Sequence, residues 1–330
     1  MSSSYDAGDC FFEFDEYIAP DGQVYKFDDK LNNKWLASFT GYGMPEMEFI
    51  TERGPYQHGE TLLDYRLKPR TIQLVHRRSA ERRQGWWNNR ADILNRLRPN
   101  RHTAGMFGLG VLRKRLPNGS VRALDVIVQQ GPVFSARGQD TWDEWAFDEE
   151  LRFYAGDPIF YDPTLVTVLW VVSDVGGLYF HSTTYPDDLF FPASFGTDTV
   201  SGSANVHYTG TWLAYPIIYV TGPINQPVVQ NTTTGKSIQL LCNVSAGETV
   251  TIALPFGNKT VTNNVGANLI GEVSAASDLS ELAVEPEPEA AWCGTHARPC
   301  GLNVFYAGGG GGVVGQTQIR MTYKTRYVGI

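Results

Sequence analysis

The chain has 330 residues, 42% of them hydrophobic and 12% aromatic, which is enough for one large core or two ordinary ones and excludes general disorder. A net charge of −8 argues against a chain built as a whole to hold nucleic acid, and four cysteines are too few for a disulfide scaffold. No stretch approaches the roughly 18 consecutive apolar residues of a membrane span. The acidic N-terminus lacks the positive region of a secretory signal, so a soluble protein of a reducing cytoplasm is expected.

In chain order, Val24–Phe27 and Lys34–Phe39 alternate like strands, and the second stops at Gly41-Tyr42-Gly43. Arg70–Arg77 alternates as a half-buried strand should. After Ser79, a plausible N-cap, Trp86, Arg90, Ile93, Leu94 and Leu97 fall at helical spacing until Pro99, which predicts one helix over about 80–98. Strands return at Gly105–Leu109 and Gly110–Arg113, and Asn118-Gly119 marks a hairpin into Ala123–Val128. Glu150–Ala155 follows, and Asp157-Pro158 and Asp162-Pro163 close the segment. The expected domains are therefore 1–163, a β-sandwich or barrel-like domain with one helix, and 164–330, a second β-sandwich. That second domain opens on Leu165–Val172, and its short strands are separated by Gly222-Pro223, Gly235, Gly247 and Gly257 up to a last strand at about 317–330. Gly308–Gly312 reads as a flexible hairpin tip, because no Lys-Ser/Thr and no helix start follows it.

Charge is unevenly spread. Residues 66–122 carry fifteen Lys or Arg against two acids, whereas residues 164–330 carry six against eleven. Such asymmetry points to different partners on different surfaces, with Arg77, Arg78, Arg82 and Arg83 as the candidate subunit interface. Trp170, Tyr179 and Trp212 are the candidate glycan platform, although sandwich cores need aromatics too.

Signs of catalysis are weak. The acid runs Asp143-Glu144 and Asp148-Glu149-Glu150 lie among strand aromatics, where solvent-facing positions explain them better than a glycosidase pair. No nucleophile elbow, phosphate loop or His-Glu-x-x-His occurs, and the six histidines show no partner spacing. Cys293 and Cys300 with His296 between them leave three options: a zinc site lacking its fourth ligand, a loop disulfide, or two plain thiols. No cofactor and no metal is expected, and enzyme activity is the minority reading.

The order of motifs resembles the distal tail (Dit) protein family of long-tailed bacteriophages. The resemblance is carried by a Gly turn before TIQLVHRR, a single helix ending at Leu97-Arg98-Pro99, and Phe153 to Pro158. Pro216, Ile218 and Gly222 follow, then Asn231 to Gly235, Gly247-Glu248, and a final Arg326-Tyr327-x-Gly329. The resemblance implies a structural virion protein whose N-terminal domains form a hexameric ring and whose C-terminal domains are galectin-like sandwiches. It further implies that the ring lies between the tail tube protein and a tail-associated hub protein, holds receptor-binding components, and lets DNA pass only as transiting cargo. Segments 173–208 and 285–312 exceed the family pattern. The alternative is a carbohydrate-binding protein that recognises a cell-surface polysaccharide.

Overall fold

The computed structural model describes residues 14–29, 32, 34–80, 82–98, 108–134, 145–171, 199–286, 301–313 and 315–330. It is mainly β and divides into two compact units. Unit 1 holds residues 1–163 together with 326–330, and unit 2 holds 164–325.

Unit 1 contains β1 (Phe14–Ile18), β2 (Val24–Lys26), β3 (Lys34–Thr40), β4 (Met47–Glu52), β5 (Thr61–Leu67), β6 (Arg70–Ala80), α1 (Arg83–Leu97), β7 (Gly110–Arg115), β8 (Val121–Phe134), β9 (Trp145–Ala155) and the start of β10 (Phe160–Val171). Seven of these strands form one antiparallel sheet in the order β3-β6-β9-β8-β7-β1-β2. Laid flat, β2 and β6 would be about 24 Å apart at ordinary strand spacing. Instead the rings of Tyr25 on β2 and His76 on β6 lie 5.7 Å apart, so the sheet curls on itself like a barrel. Its interior holds Tyr17, Phe27, Ile72, Leu112, Leu124 and Phe153, and α1 adds Ile93 and Leu97.

Two expectations need correction in this unit. β6 continues through Ala80, so Ser79 is a strand residue; Arg82 stands at the N-cap and makes no side-chain cap. Asp162-Pro163 does not end a segment but lies within β10, and the chain bends earlier, at Gly156 to Ile159. In the β7–β8 hairpin, β1 pairs with the outer side of β7, while β8 pairs with β10 at Ala123 and with β9 from Ile127 on.

The last residues are clasped into unit 1. The buried Arg70 guanidinium donates to the carbonyls of Pro158 (2.8 Å), Gly41 (2.6 Å), Gly43 (2.5 Å) and Val328 (2.6 Å), and lies over the Phe160 ring. Burial lowers its pKa to about 10, which leaves it charged at neutral pH. Arg326 pairs with Asp157, Tyr327 packs under Arg122, and the Ile330 amide donates to Tyr42. At Gly329 a Cβ would sit 3.0 Å from the backbone of Gly43, so the terminal Arg-Tyr-x-Gly motif is a docking strap.

Unit 2 is a sandwich of two antiparallel sheets. It adds β11 (Thr199–His207), β12 (Ile217–Thr221), β13 (Ile224–Asn231), β14 (Lys236–Gln239), β15 (Asn243–Val244), β16 (Thr249–Ala253), β17 (Thr260–Asn263), β18 (Leu302–Gly310) and β19 (Gln318–Tyr327). One sheet runs β17-β16-β12-β19-β10; the other runs β11-β18-β13-β14, with β15 also on β13. Between them lie Ile218, Val220, Ile252, Phe305, Ala307 and Met321, with alternate residues facing out.

The motif residues of this half are structural. A Cβ on Gly222 would fall 2.2 Å from the Ser245 carbonyl oxygen, Gly235 closes the β13–β14 turn at φ +75°, and Glu248 accepts the Ser245 amide. The glycine run is no flexible tip. Gly308–Gly310 lie in β18, which pairs with β11 and β13 on its two sides, and a Cβ on Gly309 would meet the Ile224 side chain at 2.6 Å.

Candidate assembly surface

After Gly41, which sits at φ +91° and where a Cβ would meet the Thr71 carbonyl oxygen at 2.3 Å, the chain leaves the barrel sheet. It then forms the separate β4–β5 hairpin. The base of this arm is tied by the Lys68 amide to the Glu46 carbonyl (2.8 Å) and by an ion pair between their side chains (3.1 Å). At the tip, Gln57 donates to Thr61 (2.8 Å) and Thr51 donates to Glu60 (2.6 Å).

Cross-strand register sorts the side chains onto two faces. Phe49 faces Tyr65 and Met47 faces Leu67 on one, while Glu48 faces Arg66 on the other. Phe49 is 57% exposed, Leu63 58% and Tyr65 45%. A two-stranded ribbon is marginal alone in water, and exposed apolar side chains on such a ribbon mark a contact surface.

A second exposed apolar stripe lies on α1. Ile93 and Leu97 turn into the core, while Trp87 and Leu94, seven residues apart, stay 48% and 47% exposed. The Arg90 guanidinium lies 5.1 Å from the centre of the Trp87 ring.

The four candidate arginines do not form one patch. Strand alternation turns Arg77 outward and Arg78 inward, and Arg82 is exposed; the Arg83 side chain lies outside the described residues. Arg78 is fully buried, paired with Glu149 and donating to the Asn89 carbonyl, so it is removed from any outer surface of the subunit. His76 Nδ1 stands 3.4 Å from Glu149. Burial lowers the His76 pKa, opposed by the hydrogen bond and charge of Glu149. Glu149 is therefore not a solvent-facing acid, and His76 has a partner that sequence spacing did not reveal; Asp143 and Glu144 lie outside the described residues. A second buried group joins Asp15 to Lys114 (3.0 Å) and to the Tyr42 hydroxyl (3.0 Å). Burial raises the Asp15 pKa, while the Lys114 ammonium pulls it back down.

The proposed glycan platform is not assembled. Trp170 is 5% exposed and belongs to the sandwich core, so it cannot present a face to a sugar. Trp212 is half-buried, and Tyr179 lies outside the described residues, as do Cys293, His296 and Cys300. Among the described residues no group of three or more His, Cys, Asp or Glu could hold a metal, and no helix is long and apolar enough to cross a membrane. Sequence reading missed the arm altogether: Met47–Phe49 alternates, but Phe49-Ile50 breaks the pattern on the first strand and Leu62-Leu63 on the return strand.

Comparison with known proteins agrees with this architecture. No curated protein matches the chain. The crystal structure of the Dit (gp 19.1) protein of phage SPP1, described as a hub of the adsorption apparatus of phages infecting Gram-positive bacteria, superposes with a TM-score of 0.56 at 12% identity. That match covers 96% of this chain and 99% of that one. The activated phage P2 baseplate gives a looser match, with a TM-score of 0.40 at 8% identity over 94% of this chain and 98% of that one. Residues 209–289 match the family model of the siphovirus-type tail component, C-terminal domain. The chain is thus Dit-like in fold along its length, and its residues 209–289 match the siphovirus-type tail-component C-terminal domain, as the order of motifs implied.

Proposed function

We propose that this phage tail component is the subunit of a six-membered ring at the distal end of the tail, acting by assembly and not by catalysis. The observation that carries this reading is the β4–β5 arm, an amphipathic ribbon whose apolar face unit 1 leaves exposed. A ring subunit needs surfaces that close head-to-tail on further copies, and an arm of this kind supplies one. In this reading the ring joins the tail tube protein to a tail-associated hub protein, holds receptor-binding components, and is assembled in the host cytoplasm before taking its place at the virion tail tip. DNA crosses it as cargo only. The chain's net charge of −8 suits that task, because a transit channel that neutralised many phosphates would grip the DNA. Burial of Trp170 disfavours the carbohydrate-binding alternative. Light scattering with negative-stain images of the full chain tests the proposal: six-subunit rings are expected, and a monomer at every concentration, alone and with the tube protein, overturns it.

A further inference from the structure

The ring reading leaves one face of unit 2 without a task, the outer side of the β11-β18-β13-β14 sheet. Register places Ser203, Tyr306, Gln230 and Ser237 there in one row across the four strands. Their strand neighbours Ala204, Phe305, Val229 and Ile238 turn the other way, into the core. The Tyr306 ring lies down along β18 over Gly308: a Cβ there would meet its hydroxyl at 2.5 Å and its Cζ at 2.9 Å. The glycine run thus has a second use, since a side chain at 308 would lift the ring off the sheet. Tyr306 is half-buried, while Ser203, Asn205 and His207 on the neighbouring strand are exposed. Among the described residues the side chains of Ser203, Asn205 and Gln230 have no hydrogen-bond partner, so their donors and acceptors are open to a ligand. Not one Asp, Glu, Lys or Arg occurs in β11, β13 or β18, whereas β19 of the opposite sheet alone holds Arg320, Lys324 and Arg326.

We propose that this face binds a neutral polysaccharide, with one sugar ring stacked on Tyr306. The apolar C–H side of a pyranose fits the electron-rich face of an aromatic ring. Its hydroxyls, directed sideways, then need neutral donors and acceptors placed around that ring. Strand spacing sets Ser203 and Gln230 about 5 Å to either side of Tyr306, and Asn205 lies one row along. Val304 and Val228 give the floor its apolar part. Charge decides against an acidic glycan or a phosphate chain, because these strands offer no outward Lys or Arg to balance it. Trp170, buried between the sheets, takes no part. The site lies within unit 2 alone and adds polysaccharide binding to an assembly role. That a cell surface supplies the polysaccharide rests on placing the protein at the tail end; the binding itself does not.

The test probes an array of purified bacterial polysaccharides, neutral and anionic, with the labelled full chain. Binding to at least one neutral polysaccharide is expected. Tyr306→Val removes the ring with a residue that strands accept, and should weaken that binding about tenfold or more. Gly308→Ala keeps the ring but pushes it off the backbone, and should weaken binding by about the same factor. Tyr306→Phe keeps the stacking surface and should stay within about threefold of the parent. Gln230→Ala tests the flank without touching the ring, with an expected loss of about fivefold. Circular dichroism and a Tm within about 4 °C of the parent show that each variant still folds. Silence at every neutral polysaccharide, binding to anionic ones alone, or a signal that Tyr306→Val and Gln230→Ala leave unchanged overturns the site. None of these outcomes bears on the ring, which is read from the oligomeric state.

Discussion

The two units solve the problem of buried polarity in opposite ways. In unit 1 the buried polar residues among those described are charged or titratable: Asp15, Glu16, Arg70, His76, Arg78, Lys114 and Glu149. In unit 2 they are amides and hydroxyls: Asn231, Asn303, Thr317, Thr322 and Thr325. Asn303 illustrates the neutral solution. Its amide donates to the Glu285 and Gly301 carbonyls and accepts from Asn231 and the Glu285 backbone, so every lone pair and proton is used without taking a charge out of water. Buried ion pairs add little net stability, yet removing one partner strands the other. Unit 1 should therefore be the more fragile to single substitutions and the more sensitive to pH.

The largest test of that contrast is Glu149→Ala, which leaves Arg78 buried without its carboxylate and should cost about 3–5 kcal/mol in denaturant unfolding. Arg70→Met strips the charged donor from four carbonyls at the strap and should cost about 3 kcal/mol. Hydrogen exchange should then speed up at the Ile330 amide, which is bonded to Tyr42 in the parent. In unit 2, Asn303→Ala removes a neutral hub and should cost less, about 1–3 kcal/mol. An Asn303 loss as large as that of Glu149 would erase the distinction.

A pH scan sharpens it further. The folded-state pKa of His76 is depressed below 6.5 by burial, so between that lowered value and 6.5 the unfolded chain binds a proton that the folded chain does not. Stability should fall as pH drops through this window, and the fall should flatten in His76→Gln. Groups facing His76 are Arg78 on its own strand and Glu149, Lys34 and Tyr25 on neighbouring ones, of which Lys34 also has a pKa lowered by burial. Thermal melts from pH 7.5 to 5.5 read the effect. The smallest effect is expected at Arg77→Glu, an outward residue, with a change within about 0.5 kcal/mol.

How much of this was legible beforehand depends on whether a residue's partner is near in sequence. The strand at Arg70–Arg77, the single helix and the Asn118-Gly119 turn are local signals, and all three stand in the structure at nearly the expected places. The Dit-like fold was legible through the order of its turns. Arg78 was read as surface because charge is a good guide to exposure; its partner Glu149 is 71 residues away, and only the pairing of β6 with β9 brings them together. Trp170 was misassigned for the converse reason, since an aromatic in a strand looks the same from either face. Glycines 308–310 were read as loose because composition does not reveal that the neighbouring strand β13, here Ile224, already fills the space a side chain on Gly309 would need. The arm escaped because a strand with no core to face need not alternate cleanly.

The strap at residues 326–330 has one more consequence. Unit 1 is interrupted at Pro163 and resumes only at Arg326, which makes unit 2 an insertion within unit 1 in the connectivity of the chain. During synthesis, which proceeds from the N-terminus, unit 2 can complete its fold while unit 1 still lacks its final residues. The carbonyl of Val328 that completes the Arg70 clasp emerges only after all of unit 2. Only a chain translated past Val328 can close the Arg70 clasp, so this part of unit 1 waits until all of unit 2 has been made.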